Sequence, residues 1–449
     1  MCETLESRRL LSGVFVSRPD NFDAGLGANV LAGHVAIGNI NGDGNLDIAV
    51  TSDGGTSFDF LLGNGNGNFQ PASTVYNAGD DPGPPVIADM NNDLASDIVL
   101  SNTTQNNISI LFNDGDNHFS NRQTIVVGTG PGALAVGDFN DDQNLDIAVL
   151  NEGDRVSVLL GNGNGTFQPQ GNFDVGSDPD SIALADVNKD GKLDIVTANA
   201  GDDTISVLLG DGGGGFSDQK VFDTGAAPTS IAVADFNNDN KLDVAVTDSQ
   251  SDSVNVLLGN GKGAFNPPST FVVLPEPQQL VAADFNGDGK QDIATLSRFT
   301  PQVSVLLGKG NGSFLAASNF IANPGAGFSM TVGNLEGGNR AVLVTANEIL
   351  GTVSEMFTSA PSTAPTLLSP ADGAKSAASP QLVWSSSDEF PSRVIVAANK
   401  ADLPTDPSST AAISSAIIDT TTGSTSITIP AKLVQGNTKY FWEVQFEKG

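Results

Sequence analysis

Short apolar runs alternate with polar, glycine-rich loops along most of the chain, and the helical period of 3.6 residues is absent from these runs. In one representative unit, residues 231–236 (IAVADF) are apolar except for Asp235, a polar loop follows, and residues 242–247 (LDVAVT) are again mainly apolar. Residues 253–258 alternate as a strand with one buried face, and a glycine loop leads to a weaker strand near 269–273. The pattern therefore predicts a unit of four short strands.

This unit recurs along the chain. Six copies of one loop motif align: NINGDGNLDIAV from Asn39, DMNNDLASDIVL from Asp89, DFNDDQNLDIAV from Asp138, DVNKDGKLDIVT from Asp186, DFNNDNKLDVAV from Asp235 and DFNGDGKQDIAT from Asp284. A degenerate seventh copy, NLEGGNRAVLVT, begins at Asn334. Four strands per unit of about fifty residues is typical of a propeller blade. We predict an all-β fold, with a seven-bladed β-propeller over residues 14–360.

The two ends of the array predict how the ring closes. The seventh unit stops after its third strand, near residues 352–357, and Pro361 follows. Residues 14–25 (VFVSRPDNFDAG) resemble the fourth strands of the other units. We expect this segment to supply the missing outer strand of blade seven and to latch the ring, which removes two exposed sheet edges. The alternative is a loose N-terminal arm.

Charge narrows the possible partners. The chain has 20 Lys and Arg against 52 Asp and Glu, a net charge of −32, and 42 of the acids are Asp. Such acidity excludes nucleic acid as a partner. Two His and one Cys exclude a disulfide framework and argue against a His/Cys metal site. No apolar run reaches the 18 or so residues of a membrane helix, so we predict no transmembrane segment.

The Asp residues fall at fixed positions in the six loops. Side-chain oxygens at positions 1, 3, 5 and 9, with a backbone carbonyl at position 7, suit Ca²⁺, which takes six to eight oxygen ligands. The candidate ligands are Asn39, Asn41, Asp43, Asn45 and Asp47; Asp89, Asn91, Asp93, Ala95 and Asp97; Asp138, Asn140, Asp142, Asn144 and Asp146; Asp186, Asn188, Asp190, Lys192 and Asp194; Asp235, Asn237, Asp239, Lys241 and Asp243; Asp284, Asn286, Asp288, Lys290 and Asp292. Up to six Ca²⁺ ions, one in each of blades 1–6, are predicted.

The alternative to metal binding is that Asp and Asn occur in these loops because they are good turn residues. Six copies at one period, each with Asp at positions 5 and 9, favour metal binding over that interpretation. The copies from Asp186 and Asp284 are expected to bind best, and the copy from Asn39, with two carboxylates, more weakly. Leu94 replaces the glycine of position 6, so we expect strained backbone there. The seventh copy has Val342 in place of the closing carboxylate, and no ion is expected.

These motifs resemble FG-GAP/VCBS-type repeats, the calcium-bearing blades of integrin α-subunit propellers and of many bacterial surface proteins. The resemblance rests on D-F-N-x-D-x-x-x-D-[IV], as in residues 284–293, followed by L-L-G-N-G-x-G-x-F, as in residues 159–167. It covers residues 14 to about 360. It implies a calcium-binding propeller and says little about function.

The chain changes character outside the array. Residues 361–449 lack the loop motifs, and strands near 365–370, 381–385, 393–398, 426–429 and 438–446 predict a β-sandwich. GNTKYFWEV resembles the penultimate strand of fibronectin type III domains, and Trp384 fits their core tryptophan. Since a last strand is missing before Gly449, we expect a truncated or complemented domain. Residues 1–13 resemble the LEPR-xLL motif of large bacterial envelope proteins, with Ser7 in place of proline, which favours a secreted or cell-surface location.

No catalytic set stands out. His34 starts an inner strand, matching Pro84, Ala133, Ser181, Ser230, Gln279 and Ser329, and His118 lies in a glycine loop. Neither has a second feature of a Ser-His-Asp triad, so we predict no enzyme activity. A two-carboxylate polysaccharide-degrading enzyme and a lectin remain alternatives.

The predicted function is an adhesion or recognition scaffold with an unknown protein or glycan ligand. Binding is expected on the face opposite the Asp loops, where the connections vary most: residues 101–106, 151–155, 248–252 and 297–302. Arg155, Arg298 and Phe299 are the candidate contacts there. Ordinary solvated surface is the alternative interpretation.

Overall fold

The computed structural model describes residues 15–17, 22–26, 30–70, 75–119, 121–298, 300–322, 327–335, 341–347 and 351–358, and six strands after residue 366. One compact unit spans Val16–Phe357. Within the described residues the fold is all-β apart from one short 3₁₀ helix, Thr103–Gln105. Seven antiparallel sheets follow one another along this unit, which confirms the predicted seven-bladed propeller.

The strands are numbered in chain order. The N-terminal segment contributes β1 (Phe15–Ser17) and β2 (Phe22–Asp23). Blade 1 contains β3 (Ala32–Gly38), β4 (Asp47–Ser52), β5 (Ser57–Gly63), β6 (Phe69–Gln70) and β7 (Tyr76–Asn77). Blade 2 contains β8 (Val86–Ala88), β9 (Asp97–Asn102), β10 (Asn107–Phe112) and β11 (Asn121–Val126). Blade 3 contains β12 (Pro131–Gly137), β13 (Asp146–Asn151), β14 (Arg155–Leu159) and β15 (Gly171–Asp174).

The second half of the ring repeats this arrangement. Blade 4 contains β16 (Pro179–Ala185), β17 (Asp194–Asn199), β18 (Thr204–Leu208) and β19 (Lys220–Asp223). Blade 5 contains β20 (Pro228–Ala234), β21 (Asp243–Asp248), β22 (Ser253–Leu257) and β23 (Ser269–Val272). Blade 6 contains β24 (Pro277–Ala283), β25 (Asp292–Ser297), β26 (Gln302–Leu306) and β27 (Ser318–Ile321), and blade 7 contains β28 (Gly327–Gly333), β29 (Val342–Asn347) and β30 (Thr352–Thr358).

The second strand of each blade is buried throughout because both of its faces pack against neighbouring blades. In β17, for example, all six residues are buried, whereas the outer strand β19 is mostly exposed. The cores accordingly lie between blades: Val207 of blade 4 and Val246 of blade 5 belong to one cluster. Near-continuous apolar second strands in the sequence are the signal of this burial.

The N-terminal segment completes blade 7, as predicted. Phe22 pairs with Val353 and Asp23 with Thr352, and the Ala24 amide donates to the Gly351 carbonyl at 3.1 Å. The junction between blades 7 and 1 is built like the others, since the Gly67 amide donates to the Leu335 carbonyl at 3.2 Å, as Gly214 does to Phe139 between blades 4 and 3.

The strands after residue 366 form two three-stranded sheets. They are β31 (Leu367–Ser369), β32 (Gln381–Trp384), β33 (Ser392–Ala397), β34 (Ile418–Thr422), β35 (Ser426–Thr428) and β36 (Phe441–Phe446), paired in the orders β31-β32-β35 and β34-β33-β36. Five of the six were expected, and β34 was missed because its run of Thr and Asp lacks an apolar alternation. The resemblance to a fibronectin type III domain stays a prediction. Residues 1–13 and the Trp384 side chain lie outside what the structure describes.

Deleting residues 14–25 is expected to lower the melting temperature strongly and to expose the edge of β30, because Ala24 is buried in the core shared by blades 1 and 7 and Phe22 packs against it. Thermal unfolding with hydrogen exchange checks this, and protection should fall first in blades 7 and 1. Phe22→Ala should share this pattern, whereas Phe222→Ala, at the same position of blade 4, should loosen blade 4. An unchanged melting temperature after deletion would rule out the latch.

Candidate metal loops and the opposite face

The six Asp loops, which connect the first and second strands of blades 1–6, share one backbone conformation. Position 4 has a φ between 57° and 73° and position 6 between 61° and 87° in all six copies. Glycine occupies position 6 in three copies, but Leu94 holds a φ of 73° with its side chain 93% exposed. The predicted strain at Leu94 is therefore confirmed, since a left-handed φ is unfavourable for leucine.

The Asp at position 9 of each loop, here called the closing Asp, accepts hydrogen bonds from two separate backbone segments. We call this pair of hydrogen bonds the clip. In blade 4, Asp194 Oδ2 accepts the Val187 amide at 3.0 Å and Oδ1 accepts the Gly210 amide at 2.9 Å. The same two bonds recur in blades 1–3, 5 and 6 at 2.7–3.0 Å, and all six closing carboxylates are fully buried. The bonds tie the start of the Asp loop to the glycine loop, so this residue has a structural role that the sequence motif did not reveal.

The other loop carboxylates accept hydrogen bonds from backbone amides of their own loop. Asp186 accepts the amides of Asp190 at 3.1 Å and Gly191 at 2.8 Å, and Asp190 accepts the Lys192 amide at 3.0 Å. Among the described residues, no three Asp, Glu, His or Cys side chains converge as a metal cluster. Each loop offers at most three carboxylates together with amide and carbonyl oxygens, and this mixed set of hard donors suits calcium.

Burial and crowding raise the pKa of the closing carboxylates. The pKa of Asp292 rises to about 7, first because the group is buried and then because Asp288 and Asp284 carry like charge nearby. The pKa of Asp97, Asp146, Asp194 and Asp243 rises to about 6 for the same reasons. A divalent cation in the loop would offset this repulsion, so the electrostatics fit the predicted ion.

The copies differ in ways that bear on binding. In the first copy the Oδ1 of Asn39 is buried without a hydrogen-bond partner, whereas Asp at this position in other copies accepts loop amides. In the fifth and sixth, Lys241 Nζ lies 2.8 Å from Asp239 and Lys290 Nζ lies 2.9 Å from Asp288. Residues 336–340 of the seventh copy lie outside the described residues, and the absence of an ion there stays a prediction.

The ring of residues that includes His34 holds neighbouring blades together. Ser181, Ser230 and Ser329 accept the amides of Ile231, Leu280 and Val35 at 3.1–3.3 Å, each across a blade boundary. Gln279 accepts the Met330 amide in the same way. Burial lowers the pKa of His34 to about 4, so this side chain is neutral at physiological pH. His118 is exposed beside Asp114, as expected.

On the opposite face, polar residues of the variable turns are engaged in the fold. Asp154, Asp203 and Asp252, in the turns after the second strands, accept the amides of Asp178, Ala227 and Glu276 at 2.8–3.2 Å. Asn106 accepts the Gly130 amide likewise at 2.9 Å. Each bond links two turns 24 residues apart, so these side chains are structural.

Two shallow recesses open on this face. One, of about 250 Å³, is lined by His34, Asp53, Asp81 and Thr103, among others. The second, of about 280 Å³, is lined by Gly128, Thr129, Asn151, Gly153, Arg155, Gln170 and Asn172.

The predicted contact residues are not neighbours. Arg155 lies in blade 3, paired with Asp174 at 3.0 Å, whereas Arg298 follows the second strand of blade 6, three blades away. Phe299 lies outside the described residues. The two arginines therefore do not form one patch, because each belongs to the turn of a different blade.

Tyr76, the only Tyr in the propeller, packs in an aromatic cluster. Its ring centroid lies 5.3 Å from that of Phe119 and 6.1 Å from that of Phe60, and its hydroxyl donates to the Asn117 carbonyl at 3.0 Å. This ring is committed to the core between blades 1 and 2.

Sequence comparison with known families agrees with this geometry. A model of the FG-GAP-like repeat matches five overlapping segments, residues 39–100, 89–149, 138–197, 186–246 and 235–295. The chain belongs to the FG-GAP repeat family. No curated protein sequence matches it. Within the described residues no helix is long and apolar enough to span a membrane.

Solved structures with this fold have varied functions. BBS1N in complex with ARL6DN is similar at 15% identity with a TM-score of 0.55, over 77% of this chain and 97% of that one. A Staphylococcus aureus virginiamycin B lyase with quinupristin is 12% identical, with a TM-score of 0.54 over 77% and 99% of the two chains. An Agrocybe aegerita lectin specific for terminal N-acetylglucosamine is 21% identical, with a TM-score of 0.50 over 71% and 86%. At these identities the likeness concerns the fold alone.

One buried acid of this FG-GAP propeller departs from the repeat. Asp59 is 1% exposed in β5, at the position that serine holds in five other blades and Asn255 holds in blade 5, and its Oδ2 has no hydrogen-bond partner. Burial raises the pKa of Asp59 to about 7, and the charge of Asp23 adds to the effect. Ser206 occupies the matching register position in blade 4.

Asp59→Ser is expected to stabilise the protein at pH 8 by about 1–3 kcal/mol, because it removes a buried carboxylate that has one oxygen without a hydrogen-bond partner. Since the pKa is raised in the folded state, the wild type loses stability as the pH rises from about 4 to 7, and the variant should lose less. Urea unfolding at pH 4.5 and pH 8 measures this, with Asp53→Ser, at a partly exposed acid of the same blade, as control. Equal pH slopes for wild type and variant would contradict the assignment.

Proposed function

We propose that this FG-GAP protein is a calcium-stabilised recognition scaffold that acts outside the cytoplasm. The observation that carries the proposal is the set of six Asp loops with one shared conformation, each ending in a buried carboxylate whose pKa is raised by burial and, next, by neighbouring carboxylates. Calcium bound there would relieve the repulsion and fix hairpins that no disulfide holds, the chain having one Cys.

An exported location follows from the calcium requirement. Millimolar free calcium is characteristic of extracellular compartments, and extracellular modules tolerate weak sites of 10⁻⁴–10⁻³ M. The resemblance of residues 1–13 to an envelope-protein motif supports the same location. A scaffold role fits a propeller whose inner ring of side chains is engaged between blades.

Calcium titration into the chelator-stripped full chain should give saturable binding of up to six ions and a raised melting temperature. A site with a dissociation constant a hundredfold below the free calcium concentration adds about 2.7 kcal/mol. Asp190→Asn should remove one site while keeping the oxygen that accepts the Lys192 amide. Asp218→Asn, an exposed acid outside the loops, is the matched control. If no heat of binding is measured at millimolar calcium, the loops are turns without a metal site and the proposal is wrong.

A second candidate function, binding of a neutral sugar, is favoured by the recess of blade 3. Asn151 is 4% exposed, lines the recess, and its Oδ1 has no hydrogen-bond partner. In blade 4, Thr197 donates to the equivalent Asn199 at 2.8 Å, but Val149 holds that position in blade 3. A ligand hydroxyl could donate to Asn151, and Arg155, the charged residue of the lining, is already paired with Asp174.

Val149→Thr tests this candidate, because the new hydroxyl would satisfy Asn151 as Thr197 satisfies Asn199. Binding to a panel of neutral glycans should be lost in Val149→Thr and kept in Val246→Thr, the same substitution at the same position of blade 5. Glycan-array binding with calorimetry on any hit is the measurement. If the wild type binds no neutral glycan, or if both variants bind equally, the recess is not a sugar site.

A further inference from the structure

The lysines of the propeller are confined to one side of the ring. Residues 14–360 contain seven lysines, all between positions 189 and 309 in blades 4–6: Lys189, Lys192, Lys220, Lys241, Lys262, Lys290 and Lys309. Blades 1–3 and blade 7 contain none. Since all blades share one repeat, this bias is not required by the fold.

All seven lysines also reach one face, that of the Asp loops. Lys192, Lys241 and Lys290 stand at position 7 of their Asp loops, and Lys189 at position 4. Lys262 and Lys309 lie in the glycine loops, which open on the same face. Lys220, on an outer strand, directs Nζ to the Gly263 carbonyl of the next glycine loop at 3.5 Å.

The seven lysines form an arc over blades 4–6, and their side chains meet across the boundary between blades 4 and 5. A Cβ placed on Gly261 would lie 3.0 Å from the Cδ of Lys241 and 3.5 Å from the Cδ of Lys189, although Lys189 belongs to the preceding blade. Lys262 follows Gly261 directly. Lys189, Lys241 and Lys262 therefore surround one glycine, and Lys290 lies beside Gly310, where Asn238 takes the place of Lys189.

The same position in blades 2 and 3 is neutral. There Gly163 is flanked by Asn144 and Asn92, which hydrogen-bond each other at 2.9 Å, and Asn164 takes the place of Lys262. The fold thus accepts three asparagines where blades 4 and 5 have three lysines. Lys189 is also exposed with a φ of 64°, a conformation that glycine or asparagine adopts more readily. Retaining lysine there has a cost in strain.

The arc changes the charge of its half of the face. In blades 4–6, seven lysines stand against eight carboxylates of the Asp loops and glycine-loop segments that are not buried. These carboxylates are Asp186, Asp190, Asp211, Asp218, Asp235, Asp239, Asp284 and Asp288. Blades 1–3 contain no lysine, and Arg122 lies on an outer strand. Their eight carboxylates of the same kind are Asp43, Asp89, Asp93, Asp114, Asp116, Asp138, Asp141 and Asp142. Calcium in the loops, which rests on the function proposed above, would leave the lysine half net positive.

We infer that this lysine arc binds a carboxylate-bearing polysaccharide. The ammonium groups are interleaved with Asp carboxylates, so a polymer with widely spaced charges fits, whereas a densely charged one would place anions against those carboxylates. A single flexible chain can follow the arc without crossing the acidic half. A nucleic acid duplex would meet that half and the net charge of −32.

The test replaces the lysines by the asparagines of the neutral position. Hyaluronan oligosaccharides, which carry one carboxylate per disaccharide, are titrated into the calcium-loaded full chain at low and physiological salt. Lys189→Asn, Lys241→Asn and Lys262→Asn together should weaken binding at least tenfold without lowering the melting temperature. The reverse set, Asn92→Lys, Asn144→Lys and Asn164→Lys, should strengthen it. Affinity should fall as salt rises.

The outcomes separate the arc from the calcium proposal. Unchanged affinity in the Lys→Asn variant, or no hyaluronan binding when calorimetry shows filled calcium sites, would overturn the arc. Preference for dextran sulfate over hyaluronan would overturn the carboxylate assignment, and equal binding of neutral dextran would exclude a charge-based site. Concentration-dependent self-association lost in the Lys→Asn variant would assign the arc to a second copy instead. If the chain binds hyaluronan but shows no calcium binding by calorimetry, the arc is supported and the calcium proposal is wrong.

Discussion

The buried carboxylate that closes each Asp loop is the interaction on which the propeller depends. Asp194 and its five equivalents accept two backbone amides each, one from the start of their own loop and one from the glycine loop. A carboxylate can satisfy two donors with its two oxygens, which an amide or hydroxyl side chain cannot do as well. This clip holds both connections of one face together, so loop shape, blade pairing and any metal site share one residue.

The clip also explains why the blades use so much glycine next to it. A Cβ on Gly210 would lie 2.2 Å from the Leu193 carbonyl, because the clip draws the glycine loop onto the Asp loop. Blade 2 solves the same problem differently: Asn113 replaces the glycine, and its side chain donates to the carbonyls of Ser96 at 3.2 Å and Ile40 at 3.0 Å. One close approach thus has two chemical solutions within a single chain.

Repetition made the fold predictable from the sequence. The period and the apolar second strands define the blades, and the truncated seventh unit together with residues 14–25 indicates the closure that Phe22 and Val353 make. The role of the closing Asp could not be derived in this way, because a metal ligand and a backbone clip select the same residue at the same spacing. The hydrogen bond that the Asp178 amide donates to Asp154 was equally hidden, since it joins turns of two blades.

Function is better sought in what breaks the repeat than in what obeys it. Residues that recur from blade to blade, such as the closing Asp of blades 1–6, are explained by the fold alone, and each blade then serves as a control for its neighbours. Against that background Val149 leaves Asn151 unsatisfied, and Lys189 keeps a backbone conformation that asparagine adopts elsewhere in the ring. Such departures carry a cost in stability that the other blades avoid. A stability cost that arises in one blade of a repeated fold needs an explanation specific to that blade, and ligand binding is such an explanation.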